Sequence, residues 1–508
     1  MRKKRILGQE TEYGMIIKQL PRDLEMLEIA KRLYYRFIPL CLRGEAAARE
    51  MSWKTDYFLA NGGRFYYDAG DHPEYATPEC LSARQLVCCS EAGDRLLEEL
   101  QAEANEKLAA FGLPSRIYLY RNNHDGKRHT YGCHENYAVK PEIFDSLAAY
   151  GSNAAKDFFL AYLMSSVIYT GAGNVIYDPK SEELKFALSQ RARFVRYEVA
   201  NSGPPFLPMI NGNNESHAGE DLRRLHVMGR DTNMANAALY LKFGTARIIL
   251  DMIEDGCFNR NLALKNAIQS YRQFSFDPSL KFRAELKNGK KYTALEIQKI
   301  LLEEALSHVS GCGGGEEDKD IVEKWGIVLD GLSRLKEKPR LLLGDVDWVT
   351  KKFILDEELN KITRRPLDRG LAFSSFKGRT RNSLNDFLNF ARTVNIQYHD
   401  LRRERGLYYR FRDFATRIVS PCEIKKAITE PPKGARAELR GFLVNAFNRP
   451  EMASKYHVAY CWHFMQWYYE SSNKCIDLSD PYANRFKPGV EKLLPKDIKV
   501  PKKFRTKK

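Results

Sequence analysis

The chain has 508 residues and a net charge of +16, and it is 44% apolar and 29% charged, the balance of a globular protein long enough for two or more cores. No stretch reaches the ~18 uninterrupted apolar residues of a membrane span. The basic start Met1-Arg2-Lys3-Lys4-Arg5 leads into a segment interrupted by Gln9, Glu10 and Glu12, so no secretory leader is expected and the chain reads as cytoplasmic.

Arg5 to Ile17 reads as a strand carrying Glu10 and Glu12 on one face. After Pro21, the residues Leu24, Leu27, Leu33 and Phe37 have helical spacing. Phe58 to Asp68 reads as a strand and Leu86 to Leu108 as a long amphipathic helix. Ile117 to Asn122 is a strand entering a turn at Asn122-Asn123-His124-Asp125-Gly126, and a strand-like stretch comes next, from Gly132 to Tyr137. Asp157 to Ile168 reads as a buried helix, Phe186 to Val199 as an alternating strand, and Asn233 to Ile253 as a helix. Gly311 to Asp318 is a connector between helices, and Arg364 to Asn385 a surface loop. From about Val419 the pattern changes. A helix with Ile424 and Ile428 runs into Pro431-Pro432, another starts at Arg436, and aromatic strand-like segments fill Tyr456 to Tyr469. The tail from Arg485 to Lys508 is strongly basic and reads as a mostly solvated end. The class is α+β, with no internal repeat. The ten cysteines form no C-x-x-C and no zinc spacing, and are expected to be reduced and mostly buried. Neither a P-loop nor a strand-linked G-x-G-x-x-G occurs, which argues against those nucleotide sites.

The most informative stretch is Arg64-Phe65-Tyr66-Tyr67-Asp68, with His72 to Cys80 close behind it. On a strand, Arg64, Tyr66 and Asp68 share one face. That face carries a cation, a phenol and a carboxylate where a structural strand would carry Val or Ile. Such a row is costly to bury unless it binds something, and metal and phosphate are the usual partners. Glu10, Glu12, Tyr66, Glu74, His134, Glu135 and His226 are the candidate ligands. Carboxylates suit a hard cation such as Mg²⁺, Arg64 offers a forked donor to a phosphoryl group, and a carboxylate such as Asp68 beside them can act as a general base. Taken singly, Glu10/Glu12 and Arg64/Asp68 could be cross-strand ion pairs; taken together, the set points to a site. His308, His457 and His463, each alone in its surroundings, read as structural or surface residues.

Several motifs resemble those of the Pup ligase/depupylase family. They are Gly8-Gln9-Glu10-Thr11-Glu12-Tyr13-Gly14, Asn61 to Cys80, Asn122 to Asp125 with Tyr131 to Tyr137, Ser189-Gln190-Arg191, Arg224-Leu225-His226, Leu241 to Ala246, Tyr398-His399-Asp400, and Pro431-Pro432 with Arg436 and Arg440-Gly441. They keep their order from end to end. The resemblance implies a glutamine-synthetase-like large domain, 1–416, with a curved and mainly antiparallel sheet cradle covered by helices, and a small C-terminal domain, 417–508. It implies an ATP- and Mg²⁺-dependent carboxylate–amine ligase. Such an enzyme phosphorylates the C-terminal Glu γ-carboxylate of a small acidic Pup-like modifier and joins it to a lysine of a target protein. Residue by residue, Glu10, Tyr66 and Glu74 match metal ligands of the family, and His226 matches a metal-binding histidine, with His134 or Glu135 as weaker candidates. Arg64, Thr77 and Trp462 match its ATP contacts, and Asp68 its base. One segment departs: where the family usually shows Thr-Arg-Asp-Glu-Pro-His-Ala-Asp, this chain has Gly212-Asn213-Asn214-Glu215-Ser216-His217-Ala218-Gly219.

Cys133 before His134, the stretch Ala76 to Cys80 and the short span from Gly14 to Asn61 resemble the ligases. Asp125-Gly126-Lys127 and Gly406-Leu407-Tyr408 resemble the depupylases, so hydrolysis of the isopeptide or of a C-terminal Gln is the alternative reading. ATP-dependent ligation of a small-molecule amine is another. A non-catalytic, basic nucleic-acid-binding protein is the alternative from a different class. It calls for aromatic residues interleaved along a basic groove, and the tail has only Phe486 and Phe504. Neither nucleic acid nor membrane is therefore expected as a partner.

Overall fold

The structure, a computed structural model, describes residues 4–19, 56–68, 72–126, 129–178, 180–201, 207–363, 375–376, 381–469 and 472–506. The helix expected after Pro21 lies outside them. The fold is α+β, and the chain divides into two compact units. The first comprises Met1–Leu119, Glu215–Arg224 and Val419–Lys508, and the second Tyr120–Asn214 and Leu225–Ile418. The segment beyond Val419 thus belongs with the first 119 residues.

In the first unit, β1 (Leu7–Glu12), β2 (Gly14–Lys18), β3 (Asp56–Phe58), β4 (Arg64–Tyr67) and β5 (Pro73–Ala76) precede the long helix α1 (Ala83–Ala110). Three of these pairings build the site, and each is antiparallel: β5 lies between β1 and β4, and β4 pairs with β3. Two strands expected to be continuous are not. Arg5–Ile17 breaks at Tyr13, whose buried hydroxyl donates to Asp94 on α1 at 2.7 Å. Phe58–Asp68 is a hairpin, because Gly62 takes φ +80° and Gly63 N–H donates to Asn61 Oδ1 at 2.9 Å. Asp68 lies one residue past β4.

The row Thr11, Tyr75 and Phe65 crosses β1, β5 and β4 on one face. All three are buried, and α1 packs against them. Gly93 makes room: a Cβ there would stand 2.3 Å from Tyr75 Cε1. Ser82 caps α1 by accepting from Gln85 N–H at 3.1 Å.

The segment beyond Val419 builds a core of its own from the helix Ala437–Phe447, the antiparallel strands His457–Tyr460, Phe464–Tyr469 and Ser472–Asp477, and the basic tail. Leu443, Phe447, Trp467, Phe486, Ile498 and Phe504 are buried together. The tail is therefore not a solvated end. Its lysines are mostly exposed, but Phe486, Leu494, Ile498, Val500 and Phe504 sit in the core at their own spacing, and Phe486 N–H donates to the Phe504 carbonyl at 2.9 Å.

In the second unit, the strands Tyr197–Ala200 and Pro208–Asn211 pair in parallel, and Pro208–Asn211 pairs antiparallel with the His226–Val227 end of the strand Arg223–Val227, beside which runs Cys133–Val139. Helices Ala154–Ser165, Asn236–Glu254, Ala294–Gly311 and Glu316–Ser333 enclose a second core, with Trp325 fully buried and its indole donating to Gln298. The strand expected over Phe186–Val199 is interrupted. The Asp231 carboxylate accepts from Gln190 N–H (2.8 Å), Arg191 N–H (3.0 Å) and the Ser189 hydroxyl (2.7 Å). Those N–H groups are lost to a ladder, and strand resumes only at Tyr197. The loop expected at Arg364–Asn385 is partly ordered structure. Ser375–Phe376 adds a short strand to Glu183–Ala187, and residues 381–385 open the helix Arg381–Gln397.

If the tail is structural, Phe504→Ala is expected to lower the stability of the C-terminal core by about 3 kcal/mol, whereas Lys502→Ala stays within about 0.5 kcal/mol. Denaturant unfolding monitored by tryptophan fluorescence, with Trp467 inside this core, separates the two. Equal midpoints would return the tail to solvent.

Candidate active site

The strand pairings of the first unit fix which side chains share a face. Tyr66 lies opposite Glu74, and Glu74 opposite Glu12; two residues along, Arg64 lies opposite Ala76, and Ala76 opposite Glu10. The side-chain period of two puts both rows on the face opposite the buried Thr11–Tyr75–Phe65 row. One sheet face thus presents Glu10, Glu12, Glu74, Tyr66 and Arg64.

One carboxylate oxygen each of Glu12, Asp68 and Glu74 lies within 4.8 Å of the others. Glu74 and Glu12 are buried. Burial, and then the charges of Glu10, Glu12 and Asp68, push the Glu74 carboxyl well above its ordinary range. Burial and the neighbouring Glu74 and Glu10 likewise raise the Tyr66 phenol, which hydrogen-bonds Glu74. Like charges this close are unfavourable by themselves and favourable around a cation. An all-oxygen donor set of carboxylates and a phenol suits a hard divalent ion.

The rim of the face is cationic. Arg64 lies over the Tyr66 ring at 4.3 Å and near the Phe58 ring at 5.6 Å. Arg224 bridges Glu10 at 3.0 Å and Glu215 at 3.1 Å. Burial, then Arg224, His463, Arg436 and Arg64 push the His217 imidazole down to about 4. Burial is the largest cause, and the arginines beside it add a positive charge that a phosphate or carboxylate ligand would meet.

A buried charge triad holds the rim. Arg436 Nε donates to Glu79 Oε1 at 2.6 Å and Arg440 Nη1 to the same oxygen at 3.1 Å. Arg440 also donates to the Gly62 carbonyl (2.7 Å) and to the Trp462 carbonyl (3.3 Å), and stacks on the Trp462 ring at 4.6 Å. Trp462 meets Phe58 edge-on at 5.0 Å. Arg436 further donates to the His217 carbonyl at 2.6 Å.

Most of the site residues expected from the sequence come together here. Glu10, Arg64, Tyr66 and Glu74 share the face, and Asp68 reaches its carboxylate cluster. Thr77, just past β5, is buried and accepts from Gln9 N–H at 3.0 Å, which leaves its O–H to donate. Trp462 is joined to Arg64 through Phe58. His226 belongs to the second unit, where its ring meets His134 at 4.9 Å. Glu135 does not share that environment. Successive strand residues face opposite ways, and Glu135 is fully buried, bonded to Arg230 Nε at 2.7 Å and Tyr137 OH at 2.6 Å. Burial opposes its charge, but Arg230 and Lys242 outweigh that and lower its carboxyl. It is a structural ion pair rather than a ligand.

The family model for the Pup-ligase protein matches residues 5–465. A Pup–protein ligase of Mycobacteroides abscessus is 33% identical over 449 residues, covering 87% of this chain and 90% of the relative. That of Acidimicrobium ferrooxidans is 33% identical over 492 residues, covering 95% and 96%. The chain belongs to the Pup-ligase family. Among solved structures, the complex between the prokaryotic ubiquitin-like protein Pup and its ligase PafA superposes with a TM-score of 0.77 at 28% identity, covering 97% of this chain and 92% of that one. PafA in complex with ADP gives 0.70 at 28% identity and 95% of each. The α+β fold is that of the Pup ligases.

Two groups of this Pup-ligase site had no assigned role in the sequence pattern, and Glu12, a candidate ligand beside Glu10 on β1, was matched to no metal ligand of the family. Arg224 carried no signal beyond its place before His226, because its partners lie 9 and 214 residues away. The Glu79 triad spans more than 350 residues, and only the register of the fold brings it together.

Burial opposes the Glu79 charge, but Arg440 and Arg436 outweigh it and hold the carboxyl down at about 2 against the usual 4.5. The folded value is depressed, so the ion triad contributes fully above the unfolded value and is lost as pH falls from about 4.5 towards 2. The contribution is about 3 kcal/mol. Glu79→Gln leaves two guanidinium groups buried without their carboxylate and is expected to cost roughly 3–5 kcal/mol at neutral pH. It should also flatten the acid limb of the stability curve. Unfolding midpoints measured from about pH 7 to about pH 2 check both effects, and an acid limb identical to wild type would mean that Glu79 is not the titrating group.

Proposed function

We propose that the chain is an ATP-dependent carboxylate–amine ligase that joins a small acidic Pup-like modifier, through the γ-carboxylate of its C-terminal Glu, to lysines of target proteins. The observation that carries this reading is the sheet face on which Glu12, Asp68 and Glu74 converge beside Arg64, in a chain of the Pup-ligase family. Membership removes the non-catalytic basic binder. The named ligases among its relatives favour ligation over hydrolysis.

The chemistry explains the residues. A carboxylate is a poor electrophile, and transfer of a phosphoryl group from ATP to its oxygen creates an acyl phosphate. A lysine amine then attacks the acyl carbon, and inorganic phosphate leaves. Arg64, with its planar fork, is proposed to bind the oxygens of the transferring group. Thr77 would donate its hydroxyl to the nucleotide, and Trp462, held by Phe58 and Arg440, would contact it. Glu10, Tyr66 and Glu74, together with Glu12, would hold Mg²⁺, and His226 with His134 would serve as metal-binding imidazoles. Bound there, the cation supplies charge neutralisation for the phosphate oxygens.

Asp68 is proposed as the base. Glu12 and Glu74 are buried within strands, whereas Asp68 stands at the free end of β4. It can accept the proton that the attacking ammonium must shed. The positive rim supports an anionic modifier as partner. The requirement for ATP supports a cytoplasmic location, and among the described residues no helix is long and apolar enough to cross a membrane.

The direct test supplies ATP, Mg²⁺, an acidic modifier ending in Glu and a lysine-bearing acceptor. Conjugate should form, and loss of preformed conjugate without synthesis would favour the hydrolase instead. Glu74→Ala should weaken Mg-ATP binding and abolish turnover in a folded protein; unchanged affinity by calorimetry would sink the metal assignment. Asp68→Asn should keep ATP binding and lose conjugation by roughly 10²–10⁴-fold, the usual worth of a general base. A wild-type conjugation rate in this variant would rule Asp68 out as the base.

A further inference from the structure

The second unit contains a ligand cluster that the reaction does not use. Asp255 caps the C-terminus of helix Asn236–Glu254. Cys312 caps the C-terminus of helix Ala294–Gly311, whose last turn carries His308. One carboxylate oxygen, one ring nitrogen and the sulfur of these three residues lie within 4.8 Å of one another. His308 and Cys312 are four residues apart at a helix end, the spacing that stacks side chains on one side.

The histidine is the second observation. Its Nε2 lies 2.8 Å from Asp255 Oδ2. Its side chain keeps only 8% of its accessible surface, and its Nδ1 is buried with no hydrogen-bond partner among the described residues. Nε2 and Asp255 Oδ2 already stand at about the spacing of two ligands on one ion, which would replace the proton they share. His308 and Cys312 also line a cavity of about 630 Å³ together with Cys257 and Glu304, so an ion has a path in. Two helix C-termini meet here, and the negative ends of both macrodipoles favour a cation.

We propose that Asp255, His308 and Cys312 form a binding site for a borderline divalent transition metal, with Zn²⁺ as the ion that best fits a thiolate, an imidazole and a carboxylate and with water in the fourth position. Hard ions such as Mg²⁺ favour all-oxygen sites like the strand face. On binding, Cys312 gives up its thiol proton and the metal–sulfur bond forms. The metal would tie together two helix ends whose ligands are 53 residues apart in sequence. That separation is why no zinc spacing is visible in the chain.

The test is titration of the full chain with Co²⁺ under saturating Mg²⁺. A thiolate ligand produces a near-ultraviolet sulfur-to-cobalt charge-transfer band, which a carboxylate site cannot give. The band is expected in wild type and in Cys257→Ser, and is expected to vanish in Cys312→Ser. Zn²⁺ affinity, read by competition with a chromophoric chelator, should fall at least about 10-fold in His308→Ala, since even groups outside the ligand shell are worth that much. Absence of the band in wild type overturns the site. A band unchanged in Cys312→Ser, or lost only in Cys257→Ser, overturns the ligand assignment, as does unaltered zinc affinity in His308→Ala.

Discussion

The first unit depends on one buried carboxylate. Glu79 stands directly after the strand-face motif, and its two arginines come from the start of the helix Ala437–Phe447. Through them the unit joins pieces of chain that are far apart in sequence. Arg440 reaches the hairpin carbonyl of Gly62 and the Trp462 ring, and Arg436 reaches the carbonyls of His217 and Leu478. An isolated buried charge would be prohibitive. Two guanidinium groups with their remaining donors on backbone carbonyls make it tolerable, and the same donors grip the backbone at Gly62 and Trp462. Removing either arginine would therefore disturb geometry as well as stability.

The face beside it is arranged in the opposite sense. Glu12, Glu74 and Asp68 crowd together, and Glu74 is pushed towards its protonated form by burial and by its neighbours. A protein selected only for stability would not place acids there. The triad pairs one carboxylate with two guanidinium groups, whereas the cluster sets three carboxylates against one another. That contrast separates a structural ionic group from a functional one, and the same reasoning sorts Glu135, neutralised by Arg230, from the acids of β1 and β5.

Much of the candidate site was legible because strand alternation is short-ranged. Glu10 with Glu12, and Arg64 with Tyr66, could be placed on common faces by period alone, and the motifs then identified the family and its α+β fold. What period could not supply was register and closure. The hairpin at Gly62 looked like one strand because aromatics flank it on both sides, at Phe58 and at Phe65 to Tyr67, although Asn61-Gly62 is itself a turn signal. The strand over Phe186–Val199 failed because Asp231, some 40 residues on, takes the backbone N–H groups that a ladder needs. The tail was misjudged by its lysines. Phe486, Leu494, Ile498, Val500 and Phe504 occur too sparsely to form a periodic stripe, yet all are buried in one core.

The departure at Gly212–Gly219 can be weighed in the same physical terms. The arginine and aspartates that the family resemblance leads one to expect there are absent. Asn213, Asn214 and Gly219 stand in their place, whereas the retained Glu215 engages Arg224, which in turn holds Glu10, and the carbonyl of the retained His217 receives Arg436. An anionic substrate requires positive potential over the face rather than a particular arginine. Burial first, then Arg224, His463, Arg436 and Arg64, hold His217 down at about 4, and those arginines remain over the face. Substitution of this segment therefore leaves the sign of the site unchanged.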